Sequence, residues 1–264
     1  MRIEDLDRQR AVPGADAWIL TTLEAFGLFW DGPVRYQHQR TEAYEAALRH
    51  LHERGMTYPC ACTRREIAAA GAAGPEGPIY PGTCRLGLAP GRSARALRLR
   101  VADRPIEVID RVHGRQRHNL ATTLGDFILR RADGFHAYQL AVVVDDAEQG
   151  ITEIVRGADL LHSTPRQCYL QALLGLPRPG YAHLPLALDE AGRKLSKSLG
   201  SLALDPQNPL PALQRAWRFL GQAALSEPPG AVADFWRQAI PRWSLSDVPR
   251  GAAHPVTIHI TERF

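Results

Sequence analysis

The chain has 264 residues, 45% of them hydrophobic, a formal charge of +4 at pH 7 and a pI near 9.0. That size allows one large domain or two small ones with a full core, and the mild basicity permits a polyanionic partner without reaching the charge density of a histone or ribosomal protein. Four cysteines are too few for a disulfide scaffold.

Met1-Arg2-Ile3-Glu4-Asp5-Leu6-Asp7 is charged from its second residue, and no apolar segment follows that could act as a signal peptide. The spacing of Leu20, Leu23 and Phe26 predicts a helix over 15–26, with Pro13 before it and Gly27 after it. A second helix is predicted over 41–54, with Thr41 as N-cap, Gly55 as stop and Tyr44, Leu48 and Leu51 on one face. Residues 59–91 change texture, with three cysteines, small residues and several Pro and Gly, as in a small insertion with little core of its own. Leu97, Leu99 and Val101 alternate with arginines as a half-exposed strand, and residues 106–109 are expected to pair with it.

Tyr138 to Val144 is a continuous apolar run ending in Asp145-Asp146, the pattern of a buried parallel strand. Its strongly apolar part, Leu140 to Val144, is too short to cross a bilayer, so a soluble, cytoplasmic protein is expected. Ile151 to Val155 reads as another strand, and Thr164-Pro165 opens a helix that Gly175 closes. That order fits an α/β sheet with crossovers. Two amphipathic helices are predicted near 210–220 and 232–240. Cys168 falls in the 164–175 helix as a packing residue.

Three segments carry candidate chemistry. Lys194-Leu195-Ser196-Lys197-Ser198 sets two ammonium groups and two hydroxyls between Gly192 and Gly200. Such a loop can close over a triphosphate and place charge where a leaving pyrophosphate develops it. Cys60, Cys62 and Cys84 lie within 25 residues and suggest a metal, although C-x-C is tighter than common zinc spacings. Arg156 ends an apolar strand before Gly157; a guanidinium there suits a carboxylate ligand, or a surface ion pair with Asp159.

His183 to Ser198 resembles the strand and signature loop of class I synthetases for glutamate and glutamine. Arg2 to Asp7 is similar to their early acidic motif, and Tyr138 to Asp146 and Ile154 to Leu160 to two further motifs in the same order. The resemblance implies an α/β fold: a Rossmann-like parallel sheet, an inserted zinc-binding subdomain and a short helical C-terminal region. The expected divisions are 1–58 and 119–200 for the catalytic domain, 59–118 for the insertion and 201–264 for the helices. Residues 199–264 are all that follow Ser198, too few for an anticodon-binding region, and Trp243 to Pro249 resembles the ending of the shortened, tRNA-modifying branch. Members of that branch join glutamate to adenylate with ATP and transfer it to the queuosine base of tRNA(Asp).

By that resemblance Glu4, Tyr138 and Arg156 contact glutamate, with Glu4 on the ammonium group and Arg156 on a carboxylate. Lys194, Leu195, Ser196, Lys197 and Ser198 bind ATP, which enters with Mg²⁺, and Lys197 stabilises the transition state. Cys60, Cys62, Tyr80 and Cys84 hold one structural Zn²⁺, with a water or His113 as alternatives to Tyr80. A monomer is expected. Eight arginines against three acids over 92–117, with Arg64 and Arg65, could face tRNA phosphates or simply solvent.

The family's other signature, His-x-Gly-His or a close variant, is missing, and with it a first strand. Weak or absent adenylation is therefore expected of the chain as written. Rival readings are a tRNA-charging glutamyl-tRNA synthetase fragment and a non-catalytic, zinc-stabilised tRNA-binding protein.

Overall fold

A computed structural model describes residues 1–74, 76–188, 192, 194, 195 and 204–251, and the backbone of 253–255. Strand β1 (Arg2–Ile3) runs parallel to β2 (Arg35–Tyr36) across helix α1 (Ala15–Ala25), which stops at Phe26 ahead of Gly27 in the left-handed region. Helix α2 (Thr41–Glu53) buries Tyr44, Leu48 and Leu51, the predicted face. Its N-cap is Arg40 and no side chain caps it, so Thr41 is the first helical residue rather than the cap.

The small-residue stretch folds around β3 (Thr57–Cys60), α3 (Arg64–Ala70) and the hairpin β4 (Ala73–Gly74) and β5 (Gly77–Pro78). Thr63 and Glu66 form a reciprocal capping box that starts α3 where the sequence has little else to hold a helix. Strand β6 (Ala96–Leu99) pairs antiparallel with β3 and with β9 (Ile128–Arg130).

The strand predicted at 106–109 forms, as β7 (Pro105–Asp110), but it does not pair with β6. Gly114, with φ 73°, turns the chain so that β7 folds back on β8 (Gly114–Asn119), and its end reaches Tyr181. A short α4 (Leu120–Thr123) leads back to β9.

The run predicted as a strand over Tyr138 to Asp146 is helix α5 (Tyr138–Glu148). An unbroken apolar run has no period, so it fits a buried helix as well as a buried strand, and length decides. No Gly or Pro interrupts it before Gly150, and Leu140, Ala141, Val142 and Val143 are all buried as the helix crosses the core. Asp145 and Asp146 are not a strand end but buried polar residues of that helix. Asp145 accepts from the Gln37 amide, the Tyr44 hydroxyl and Arg40, and Asp146 pairs with Arg2 at 2.7 Å.

Beyond α5 the crossover expectation holds. Strand β10 (Glu153–Gly157), helix α6 (Thr164–Leu174, closed by Gly175 at φ 67°) and β11 (Gly180–Leu184) make a βαβ unit with a parallel ladder. With β7 and β8 they form the mixed sheet β10-β11-β7-β8. Strand β12 (Leu186–Leu188) follows; α7 (Leu210–Phe219) and α8 (Val232–Ala239) match the two predicted helices, and β13 (Ala253–Pro255) lies parallel to β12.

The main core joins α2, α5 and α6 to the strands through Leu48, Leu51, Leu99, Leu129, Leu140 and Leu170. Leu170 is fully buried, so Leu170→Ala should cost about 3 kcal/mol through lost transfer energy and a residual cavity. Urea unfolding should show this as a lower midpoint with an unchanged slope. A second cluster packs Phe26 against Leu213, Trp217 and Phe235, and Trp236 donates to the Phe26 carbonyl at 2.7 Å. Among the described residues no helix is long and apolar enough to cross a membrane.

Candidate active site and thiol cluster

Glu4 follows β1 directly and its side chain is 40% exposed, with its carboxylate 3.0 Å from the Arg2 guanidinium. Arg2 in turn reaches back to Asp146 and to Gln149 on and after α5. Tyr138 opens α5 and is half-buried. Its hydroxyl is raised above the ordinary tyrosine range, first by burial and then by the charge of Glu4, with Arg156 and Asp146 also in reach. Burial likewise pushes the Asp146 carboxyl up, against the opposing pull of Arg2. Tyr138 thus lies within electrostatic reach of both Glu4, just after β1, and Arg156 of β10.

Arg156 is not an ion-pair partner of Asp159, which instead takes Lys194. Its guanidinium is built into the protein: Nε donates to His183 Nε2 at 3.0 Å, and Nη2 donates to Thr164 Oγ1 and Gln167 Oε1, each at 2.8 Å. The Tyr181 ring lies 5.6 Å from its central carbon. Arg2, Asp146, Gln167 and His183 were not singled out from sequence. For His183 a signal existed: a histidine inside the apolar run Tyr181 to Leu188 is a polar group placed for burial.

Of the signature loop, Lys194 and Leu195 are placed. Lys194 bridges back to Leu188, and the Leu195 N–H donates to the Ala187 carbonyl at 2.9 Å, which returns the chain against β12. Ser196, Lys197 and Ser198 lie outside the described residues.

Cys60, at the end of β3, Cys62 and Cys84 bring their three sulfurs within 4.8 Å of one another. The Tyr80 hydroxyl joins them, 3.5 Å from Cys60 Sγ and 3.8 Å from Cys62 Sγ, while Cys62 and Cys84 stand 3.5 Å apart. A tetrahedral zinc with metal–sulfur bonds of about 2.3 Å requires ligand separations of about 3.8 Å. The donor set therefore fits such an ion, and it does not fit a disulfide: all three thiols are free. His113 is engaged elsewhere, its Nε2 3.1 Å from the His183 carbonyl.

Burial alone would raise the Cys60 thiol, but hydrogen bonds from Tyr80 and Arg98 outweigh it and bring it down to about 7. Cys62 is pushed up to about 11 by burial and by its contact with Cys84. Burial and the same contacts raise Tyr80. Arg98, itself buried, donates to Cys60 Sγ at 3.2 Å and lies 3.7 Å over the Tyr80 ring.

The basic stretch is largely spoken for. Besides Arg98, Arg92 pairs with Glu66, Arg111 with Glu153 and Arg115 with Glu107, and Arg100 lies over the Tyr58 ring. Cys168 is a buried packing residue of α6, as expected.

A βαβ unit with Tyr138 and Arg156 near it, followed by Lys194 after β12, is the arrangement of a class I synthetase catalytic domain. Residues 1–207 match the family model for class I tRNA synthetases (E and Q), catalytic domain. A glutamyl-Q tRNA(Asp) synthetase of Chromobacterium violaceum is 52% identical over 95% of this chain and 84% of its own length. One of Dechloromonas aromatica is 54% identical, with the same shares covered. A glutamate tRNA ligase of Elizabethkingia meningosepticum, solved in complex with its amino acid, shares the fold with a TM-score of 0.77 at 24% identity, over 97% of this chain and 60% of that one. The glutamate-tRNA synthetase of Elizabethkingia anophelis gives 0.74 at 25%, over 96% and 60%. The chain belongs to the class I glutamate and glutamine tRNA synthetases and, within them, to the glutamyl-Q tRNA(Asp) synthetase family.

Proposed function

We propose that the chain activates L-glutamate with ATP and transfers the glutamyl group to the queuosine base of tRNA(Asp). The reading is supported most by identity above 50% along 95% of the chain to proteins named for that reaction. In the first step a glutamate carboxylate oxygen attacks the α-phosphorus of ATP and pyrophosphate leaves. In the second a nucleophile of the modified base attacks the mixed anhydride and AMP leaves. No enzyme nucleophile is needed, so the protein contributes position and charge.

Glu4 receives the substrate ammonium group, Arg156 a carboxylate, and Tyr138 closes the wall between them. Lys194 to Ser198 bind the ATP phosphates, Lys197 stabilises the charge developing on the transferred phosphoryl group, and Mg²⁺ arrives with ATP. Cys60, Cys62, Cys84 and Tyr80 hold a structural zinc that ties β3 to the loop before β6. Enzyme acting on tRNA in this way works in the cytoplasm, here as a monomer.

Radiolabelled glutamate, ATP and purified tRNAs test this. Label, weak in a chain without the His-x-Gly-His signature, is expected on queuosine-containing tRNA(Asp), within the anticodon fragment after nuclease cleavage, and not on tRNA(Asp) lacking queuosine. Label on the 3′ end of tRNA(Glu) would overturn it.

A further inference from the structure

Asp110 and His183 form a buried pair that nothing in the proposed reaction yet uses. Asp110 ends β7 and His183 lies in β11, and both are sealed from solvent, 1% and 0% exposed. Asp110 Oδ1 accepts the N–H groups of Val112 at 2.9 Å and His113 at 2.8 Å, and Oδ2 faces His183 Nδ1 at 2.6 Å. On its other side His183 Nε2 meets Arg156 Nε at 3.0 Å and Thr164 Oγ1 at 3.1 Å.

The chemistry of the donors orders this chain. An arginine Nε is always a donor, so His183 Nε2 must present its lone pair to it. The imidazole proton then sits on Nδ1 and points at Asp110, which supplies acceptors only. Burial would by itself raise the Asp110 carboxyl, but the His183 ring and the two backbone N–H groups hold it below the ordinary carboxylate range. The result is a directed relay: carboxylate, neutral imidazole, guanidinium.

We infer that Asp110 and His183 are positioning residues for substrate glutamate, fixing the plane of Arg156 so that its remaining donors face a substrate carboxylate. The inference rests on the reading that Arg156 binds glutamate. With Nε on His183 and Nη2 on Thr164 and Gln167, Nη1 is the guanidinium nitrogen without a protein acceptor among the described residues. A guanidinium anchored along one edge loses little further freedom when substrate binds, and that preorganisation is what the relay contributes. Asp110 comes from a hairpin 73 residues away in sequence, so β7 braces the pocket.

Four variants test this: His183→Asn, His183→Gln, Asp110→Asn and Arg156→Gln. Asparagine at 183 keeps a donor for Asp110 but offers Arg156 no acceptor, whereas glutamine can carry its carbonyl oxygen to the position of Nε2. Asparagine at 110 can donate to Nδ1, which moves the ring proton to Nε2, against the Arg156 donor. Glutamate dissociation constants from calorimetry, which need no turnover, should rise about tenfold in His183→Asn and Asp110→Asn and much less in His183→Gln. ATP affinity should not change. In the unaltered protein, ¹⁵N spectra of histidine should show a His183 ring protonated at Nδ1 only.

A protonated Nε2 in that spectrum overturns the relay even if every substitution at 183 unfolds the chain. If Arg156→Gln weakens glutamate binding and His183→Asn and Asp110→Asn do not, the relay fails while the role of Arg156 stands. If Arg156→Gln changes nothing, the reading beneath the inference fails and the inference with it. Equal loss of glutamate and ATP affinity in the His183 variants would mark a merely structural pair and also overturn it.

Discussion

Cys60→Ser should abolish zinc binding at the proposed thiol site and destabilise the segment from β3 to β6, with a fall in stability of about 3 kcal/mol or more. Three features argue for so large an effect. Cys60 is the most buried of the three clustered thiols, at 1% exposed, and its thiol is brought down to about 7 by Tyr80 and Arg98, which favours the coordinating thiolate. The residues around the cluster, Tyr58, Ala61 and Tyr80, form a hydrophobic group too small to order this segment unaided. Structural zinc also contributes its binding energy as folding energy, on the order of 10 kcal/mol in small metal domains. Removing one thiolate leaves the other donors and the buried Arg98 without their centre. Metal content by mass spectrometry and thermal unfolding with and without chelator check this. Cys168→Ser, at a buried thiol in α6, should leave the zinc content unchanged. Zinc retained in full by Cys60→Ser would rule out the site.

Arg156→Gln should weaken glutamate affinity roughly a hundredfold, about 3 kcal/mol, the usual cost of leaving one member of a desolvated charged pair without its partner. The effect should fall on glutamate and spare ATP, since the Lys194 loop lies after β12 and is held by separate contacts. Arg156→Lys should recover little: an ammonium group cannot donate at once to His183, Thr164 and Gln167 and still face substrate. Direct calorimetry of glutamate binding, which needs no turnover, checks this. An unchanged glutamate constant would remove Arg156 from the pocket.

Much of the architecture was legible because it rests on local rules. Helices α1, α2, α6, α7 and α8 stand within a residue or two of their predicted ends, since Gly27, Gly55 and Gly175 adopt left-handed backbone that stops a helix. The thiol cluster was legible because C-x-C and a third cysteine within 25 residues is a dense pattern with few structural explanations. The misreading of α5 has a definite cause. A run buried on all sides carries no amphipathic period, so only its environment tells helix from strand. The strand at 106–109 was found but given the wrong neighbour. Pairing is a long-range choice made here by the turn at Gly114 and by the Tyr181 strand.

The site divides along the same line. Residue types and order along the chain pointed to the groups proposed to carry the chemistry: an acid after β1, an arginine before Gly157, three thiols and a lysine loop. These are covalent facts of the sequence, and the family resemblance follows from them. Only the tertiary structure decided what those groups touch. It set Arg156 against His183 rather than Asp159, brought Tyr80 and Arg98 onto the thiols, turned His113 away from them, and joined Asp110 to His183 across 73 residues. Such contacts depend on how strands and helices pack around one core. A residue's neighbours in space follow from the burial of the whole chain and leave no periodic trace in its neighbours along it.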